Sequence, residues 1–185
     1  MKTIEVKDIM VPLSEYATVN DDATLYEAVL ALEEAQKRFM QDCYQHRAVL
    51  VLNKKGNVVG KVSQLDLIRG LEAGYGKIGD LKYVSHSGFS PEFIKSMIGH
   101  YGLWQKPLDD ICRKAGQIKA KDIMYTPTEG EYVQEDATLD EAIHRLVMGH
   151  HQSLLATGAG KIVGILRLTD VFAHICDVIV KTCRL

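Results

Sequence analysis

Apolar residues recur along the chain with two periods, and the same succession of periods occurs twice. Leu25, Ala28, Val29 and Leu32 follow a 3.6-residue spacing, as do Leu139, Ala142, Ile143, Leu146 and Val147, which predicts two amphipathic helices. Each opens on a capping box, Thr24-x-x-Glu27 and Thr138-x-x-Glu141. A short extended piece precedes each helix, around 17–19 and 131–133. Two apolar runs follow each helix and predict strand pairs, 48–52 with 58–62 and 153–156 with 161–166. Asn53-Lys54-Lys55-Gly56-Asn57 and Thr157-Gly158-Ala159-Gly160 have turn composition between them. A last helix closes each half. The first starts at Leu65, Leu67 and Ile68; the second carries Leu168, Val171, Phe172, Ile175, Val178 and Ile179. That second, wide apolar face suits either the core or a second subunit.

The letters repeat as well as the periods. Lys7-Asp8-Ile9-Met10 returns as Lys121-Asp122-Ile123-Met124, and Asp22-Ala23-Thr24-Leu25 as Asp136-Ala137-Thr138-Leu139, both 114 positions later. Val58-Val59-Gly60 returns as Ile162-Val163-Gly164 and Asp66 as Asp170, 104 positions later. The first copy therefore holds about ten extra residues between its first helix and its middle strands. The repeated unit is β-α-β-β-α. At ~60 residues it is too small to bury its own faces, so the two copies are expected to share one core. The expected fold is a mixed α/β one, two tandem units related by a pseudo-two-fold axis. Copy one spans 1–73, copy two 119–185, with a connection over 74–118.

That connection is too long for a plain loop. Ser90-Pro91-Glu92 is a helix start, with Phe93, Ile94, Met97, Ile98 and Tyr101 on one face. Pro107 starts a second helix with Leu108, Ile111, Cys112 and Ala115, and Trp104 lies between. An inserted helical hairpin results. Covering the apolar surface of the module is its simpler role; a lid or partner surface is the other.

Composition narrows the class. The 185 residues are 46% apolar and 25% charged, with net charge −2 and a pI near 6.4. Without a Lys/Arg stripe, nucleic acid is not an expected partner. Apolar runs stay short of a membrane span, and the N-terminus lacks the apolar segment of a signal peptide. Cys43, Cys112, Cys176 and Cys183 form no C-x-x-C pair, so reduced thiols and a cytoplasmic location are expected.

Candidate chemistry concentrates at Gly60-Lys61-Val62-Ser63-Gln64-Leu65-Asp66, where a strand turns into a helix. Two readings fit. Ser63-x-x-Asp66 is a capping box that needs no ligand. The same junction offers helix N–H groups to an anion and a carboxylate to ribose hydroxyls, and its glycine admits a ligand or another backbone. Other constellations are incomplete. His144, His150 and His151 lack an acid or Cys at a familiar metal spacing, so no metal is expected. Cys43 beside His46 lacks an orienting third group, which argues against an enzyme. Gly74-x-Gly76-x-x-Gly79 has no strand before it, so a dinucleotide loop is not indicated.

K-D-I-M, D-A-T-L-x-E-A, h-V-G and G-x-x-S-x-x-D in this order resemble the cystathionine β-synthase (CBS) domain family over about 4–73 and 119–183. Two such domains pair into a Bateman module. The resemblance implies a stand-alone regulatory module without catalysis, binding AMP, ADP, ATP or a related adenosyl ligand between the paired domains. It also implies a homodimer and an effector protein that reads the bound state. A scaffold with degenerate clefts is the alternative. By resemblance, Gly60, Ser63 and Asp66 hold ribose and phosphate in one cleft, and Gly164, Thr169 and Asp170 in the other. Lys61 departs from a hydrophobic position and Arg167 from Ser or Thr; Arg167 would either grip a phosphate or block its cleft. His46 and Arg47, and His150 and His151, would line the phosphates. Pro12, Tyr16 and Ala17, and Thr126, Pro127 and Tyr132, would line the base. Ser63 and Asp66 are expected to face Thr126, Tyr132 and His151, and Asp170 to face Tyr16, Ala17 and Arg47.

Overall fold

The computed structural model describes residues 3–38, 46–72, 75, 90–103 and 110–182. After a 3-10 turn at Val6–Asp8, copy one contains β1 (Val11–Pro12), β2 (Thr18–Asn20), α1 (Leu25–Arg38), β3 (Ala48–Leu52), β4 (Val58–Ser63) and α2 (Gln64–Leu71). The connection carries α3 (Pro91–Tyr101) and α4 (Ile111–Gln117). Copy two contains α5 (Ala120–Ile123), β5 (Tyr132–Gln134), α6 (Leu139–Met148), β6 (Ser153–Gly158), β7 (Lys161–Arg167) and α7 (Leu168–Thr182). The expected β-α-β-β-α order is present twice, as β2-α1-β3-β4-α2 and β5-α6-β6-β7-α7. The helix starts follow from their caps: Glu27 N–H donates to Thr24 Oγ1 at 3.2 Å, and Glu141 N–H to Thr138 Oγ1 at 3.3 Å.

Within each copy the first strand lies parallel to the second, which its crossover helix permits, and the last two form an antiparallel hairpin. Leu25, Ala28 and Leu32 are buried from α1, and Leu139, Ala142 and Leu146 from α6. Val29 and Val147, expected on those buried faces, are largely exposed. The β3 register places Val49 where copy two has Leu154, while β4 places Val62 where copy two has Leu166. Nine of the ten extra residues of copy one therefore precede β3, and one lies in its hairpin turn.

The copies are joined by exchange of their leading segments. Val11 of β1 pairs antiparallel with Ile165 of β7, and Tyr125 pairs in the same way with Lys61 of β4. Val6 N–H donates to the Ala137 carbonyl at 2.9 Å, and its counterpart Ala120 N–H to the Ala23 carbonyl at 2.8 Å. Leu139 N–H reaches the Ile4 carbonyl, and Leu25 N–H the Ile118 carbonyl. These bonds come in pairs under the 114-residue offset, which establishes the pseudo-two-fold axis. Each K-D-I-M segment thus belongs to one copy by sequence and to the other by packing. Val6, Ile9 and Met10 complete the core of copy two; Ala120, Ile123 and Met124 complete that of copy one. A third cluster, with Val11, Tyr16, Leu50, Leu155 and Ile165, fills the space between the sheets.

This exchange explains both motif glycines. A Cβ on Gly164 would lie 2.7 Å from the Val11 carbonyl oxygen and 2.9 Å from Met10 Sδ. On Gly60 it would lie 2.6 Å from Met124 Sδ and 3.1 Å from the Tyr125 carbonyl oxygen. The close approach belongs to the other copy's leading segment, to its backbone at Gly164 and chiefly to the Met124 side chain at Gly60.

The connection divides. α4 docks through buried Ala115, with Ile118 packed against the copy-one core, and so covers apolar surface as expected. α3 begins at the Ser90 cap and ends at Gly102 with φ 60°, but Phe93, Ile94 and Ile98 remain nearly half exposed. It therefore does not serve as core cover. Trp104, Pro107, Leu108, Cys43, Cys183 and the Gly74–Gly79 motif lie outside the described residues. On α7, Val171 is buried, but Phe172 is 57% and Ile179 51% exposed, so most of its apolar face is outside the core.

Urea denaturation tests the glycine argument. Gly164→Ala, which meets rigid backbone, is expected to cost about 1–3 kcal/mol. Gly60→Ala, which meets chiefly the flexible end of Met124, is expected to cost less.

Candidate ligand cleft between the two copies

The strand-to-helix junctions of both copies converge at the pseudo-two-fold axis. A cleft of about 360 Å³ opens there. Its walls come in symmetry-related pairs: Ser63 with Arg167, Leu65 with Thr169, Arg47 with Gln152, and Ala48 with Ser153. Tyr16, Lys61 and Gln64 complete it. Of the residues implicated by sequence, the fold thus gathers Tyr16, Arg47, Ser63, Arg167 and Thr169 in one cleft that straddles the axis. Gln64, Gln152 and Ser153 were not foreseen.

On the α2 side the capping box is closed. Ser63 Oγ donates to Asp66 Oδ2 at 2.6 Å, Ser63 N–H donates to the same oxygen at 2.9 Å, and Asp66 N–H donates back to Ser63 Oγ at 3.2 Å. The α7 side is built differently. Arg167 is buried, its Nε donates to Asp170 Oδ2 at 2.7 Å, and its Nη2 bonds Asp170 Oδ1. Its Nη1 lies 3.2 Å from Nδ1 of His46, a fully buried ring that meets the edge of Tyr16 at 4.4 Å between centroids. Asp170 is therefore close to Arg167, His46 and Tyr16. Burial, followed by the Arg167 charge, pulls the His46 pKa down to about 4, with Asp170 opposing. Burial pushes the Tyr16 hydroxyl up to about 12 against the pull of Arg167.

The remaining expected residues lie elsewhere. His150 and His151 end α6: His150 takes φ 51°, and His151 N–H bonds the Leu146 carbonyl while its ring packs beside Gly149. Thr126 is exposed, Pro127 is half-buried, and Tyr132 packs into the cluster between the sheets. None of these five lines the cleft with Ser63, which shares its walls with Tyr16, Arg47 and Thr169. The turn at 129–131 brings Glu131 toward Lys61 of β4. Pro12 pairs with Gly164 in the exchanged strand, and Ala17 packs with the copy-one core.

Glu131 is a polar centre that sequence reading missed. It is buried, it receives Lys61 Nζ at 2.6 Å and the Tyr125 hydroxyl at 2.5 Å, and it accepts the Thr128 N–H at 3.2 Å. Burial alone would raise its carboxyl pKa, but Lys61, Tyr125 and Thr128 outweigh burial and hold it below the usual range. The corresponding positions in the other half are Ile165, Val11 and Ala17, a wholly apolar trio. A residue-by-residue overlay of the two copies would have exposed this contrast.

The triad and the buried histidine each make a testable statement. Lys61→Ile alone leaves a buried charge and is expected to cost about 3–5 kcal/mol. Adding Glu131→Ala, which with Lys61→Ile copies two of the three positions of the other half, should recover most of that; thermal unfolding of the cycle reads it. An unfolded histidine titrates near 6.5, so below that pH the unfolded chain binds a proton that the folded chain refuses. Stability is therefore expected to fall as pH drops from 6.5 through about 4, by about 3 kcal/mol at most. Urea midpoints of His46→Gln should show a flatter slope across that window.

Comparison with known proteins agrees with the geometry. A CBS domain family model matches residues 6–73 and 120–177. No curated protein matches the sequence. Among solved structures, the CBS domain of a CBS domain containing membrane protein from Sphaerobacter thermophilus aligns with TM-score 0.61 and 16% identity, covering 92% of this chain and 87% of that one. CBSX2 in complex with AMP aligns with TM-score 0.56 and 19% identity over 95% and 98%. A CBS domain-containing protein from Bacillus anthracis aligns with TM-score 0.60 and 15% identity over 94% of each chain. At such identities the likeness concerns the fold. With the family match covering both copies and the exchanged, pseudo-symmetric architecture around them, the chain belongs to the CBS domain family and carries two CBS domains.

Proposed function

We propose that this chain is a regulatory module that binds an adenosine nucleotide in the cleft between its copies and performs no chemistry. The observation that carries the reading is the convergence of Ser63 and the start of α2 with Arg47 and Thr169 on one cleft. The capping box uses only Oδ2 of Asp66, which leaves Oδ1 for ribose hydroxyls. The N-terminal N–H groups of α2, Ser63 and Thr169 suit a phosphate, and Arg47 adds a charge-assisted partner. The bound AMP of CBSX2 supports the choice of ligand class.

The mechanism is differential binding. A nucleotide touching α2 of one copy and the start of α7 in the other favours one relative arrangement of the halves, and an effector reads it. The exposed Phe172, Ile175 and Ile179 face of α7 supports a homodimer that would transmit the change. A second reading, a scaffold with degenerate clefts, draws on the engagement of both motif aspartates by their own chain.

Isothermal titration with AMP, ADP and ATP decides between them. Heat is expected with at least one, lost in Asp66→Ala and weakened at least about tenfold in Arg47→Ala, whose contribution is charge-assisted. Sedimentation of the same samples should report two copies. Absence of both heat and thermal shift with all three nucleotides overturns the nucleotide reading in favour of the scaffold.

A further inference from the structure

We infer that Arg167 is a built-in occupant of the second half-site, so that each protomer takes one nucleotide, through Asp66, and not two. The inference rests on the nucleotide reading above and specifies its stoichiometry. Asp170 is the counterpart of Asp66, the carboxylate assigned to the ribose diol. A diol offers two O–H donors to a carboxylate. The Arg167 guanidinium already supplies two N–H donors, one to each Asp170 oxygen, in the same bidentate manner. It is charged, and charge-assisted forks are roughly twice as strong as neutral hydrogen bonds, so a ribose is a poor competitor.

The fork is also held in place. Arg167 reaches His46 through its third nitrogen, and His46 is fully buried against Tyr16. The side chains of Arg167 and Asp170 are only 10% and 12% exposed, which weakens solvent screening of the pair. Copy one has no such fork. Ser63 stands at the place of Arg167, its short side chain engages only one oxygen of Asp66, and it borders the open cleft. The long cation in copy two and the short hydroxyl in copy one thus determine which half accepts a ligand.

The test is calorimetric titration of the full chain with AMP, ADP and ATP, with stoichiometry as the readout. The wild type should bind one nucleotide per protomer. That binding should vanish in Asp66→Ala and persist, at one nucleotide per protomer, in Asp170→Asn. Arg167→Ser, which copies the Ser63–Asp66 cap, should bind two, and adding Asp170→Asn should remove the second. Two nucleotides on the wild type, loss of the single site in Asp170→Asn, or one nucleotide on a folded Arg167→Ser protein each overturn the inference while leaving nucleotide binding intact. If Arg167→Ser does not give a cooperative melt, the Asp66→Ala and Asp170→Asn titrations decide alone. No binding to wild type but one Asp170-dependent site in Arg167→Ser overturns the inference, because the site through Asp66 is then missing while nucleotide binding by the family fold stands. No binding to either protein overturns both.

Discussion

Everything in this molecule hangs on the reciprocal exchange of leading segments. Each copy lends the other an extended residue beside its last strand and an apolar turn for its core. A unit of ~60 residues buries too little surface to be secure alone. Exchange adds cross-copy hydrogen bonds and covers a sheet edge that would otherwise be open. The tightness of the contact is visible at Gly60 and Gly164, where a Cβ would press on the Met124 side chain and on the Val11 backbone. Because neither core is complete without the other copy, folding of the two halves together creates the cleft between them.

Onto that near-symmetric frame the chain has placed asymmetric charge. Copy one carries Lys61, Glu131 and Tyr125 where its twin has Ile165, Ala17 and Val11. Copy two carries Arg167 where its twin has Ser63. Buried ion pairs bring little net stability, because desolvation offsets most of their attraction. What they do well is distinguish two otherwise equivalent arrangements. Here each stands beside one half of a shared cleft, so the two halves present different surfaces to whatever enters. His46, neutral in the fold because burial and Arg167 oppose its proton, belongs to the same asymmetric packing.

The site was only partly legible beforehand, for a specific reason. The Ser63-x-x-Asp66 junction and its twin stood out because a cap and a strand-to-helix turn are local events, written in four consecutive positions. Tyr16, Arg47 and Thr169 were carried by the family resemblance and do meet at the cleft. His150 and His151 do not line that cleft; they follow the end of α6, with His150 at φ 51°, and nothing in their own neighbourhood announces that backbone. Glu131 was passed over because a lone acid in a turn looks solvated. Its partners are Tyr125 and Thr128 nearby and Lys61, seventy positions away.

The sequence by itself determined the duplicated β-α-β-β-α order, the caps that begin the helices and the strands between them, since each depends on periodicity or on contacts within one turn. It also determined that the two halves would be unequal, through Lys61 and Arg167. Only the tertiary structure decided that the leading segments cross over, that the motif glycines make room for them, and that Arg167 turns onto Asp170. Those outcomes depend on distances between residues of different copies. No local pattern encodes such a distance; it is set when the two sheets close on the cluster of Val11, Tyr16, Leu50, Leu155 and Ile165.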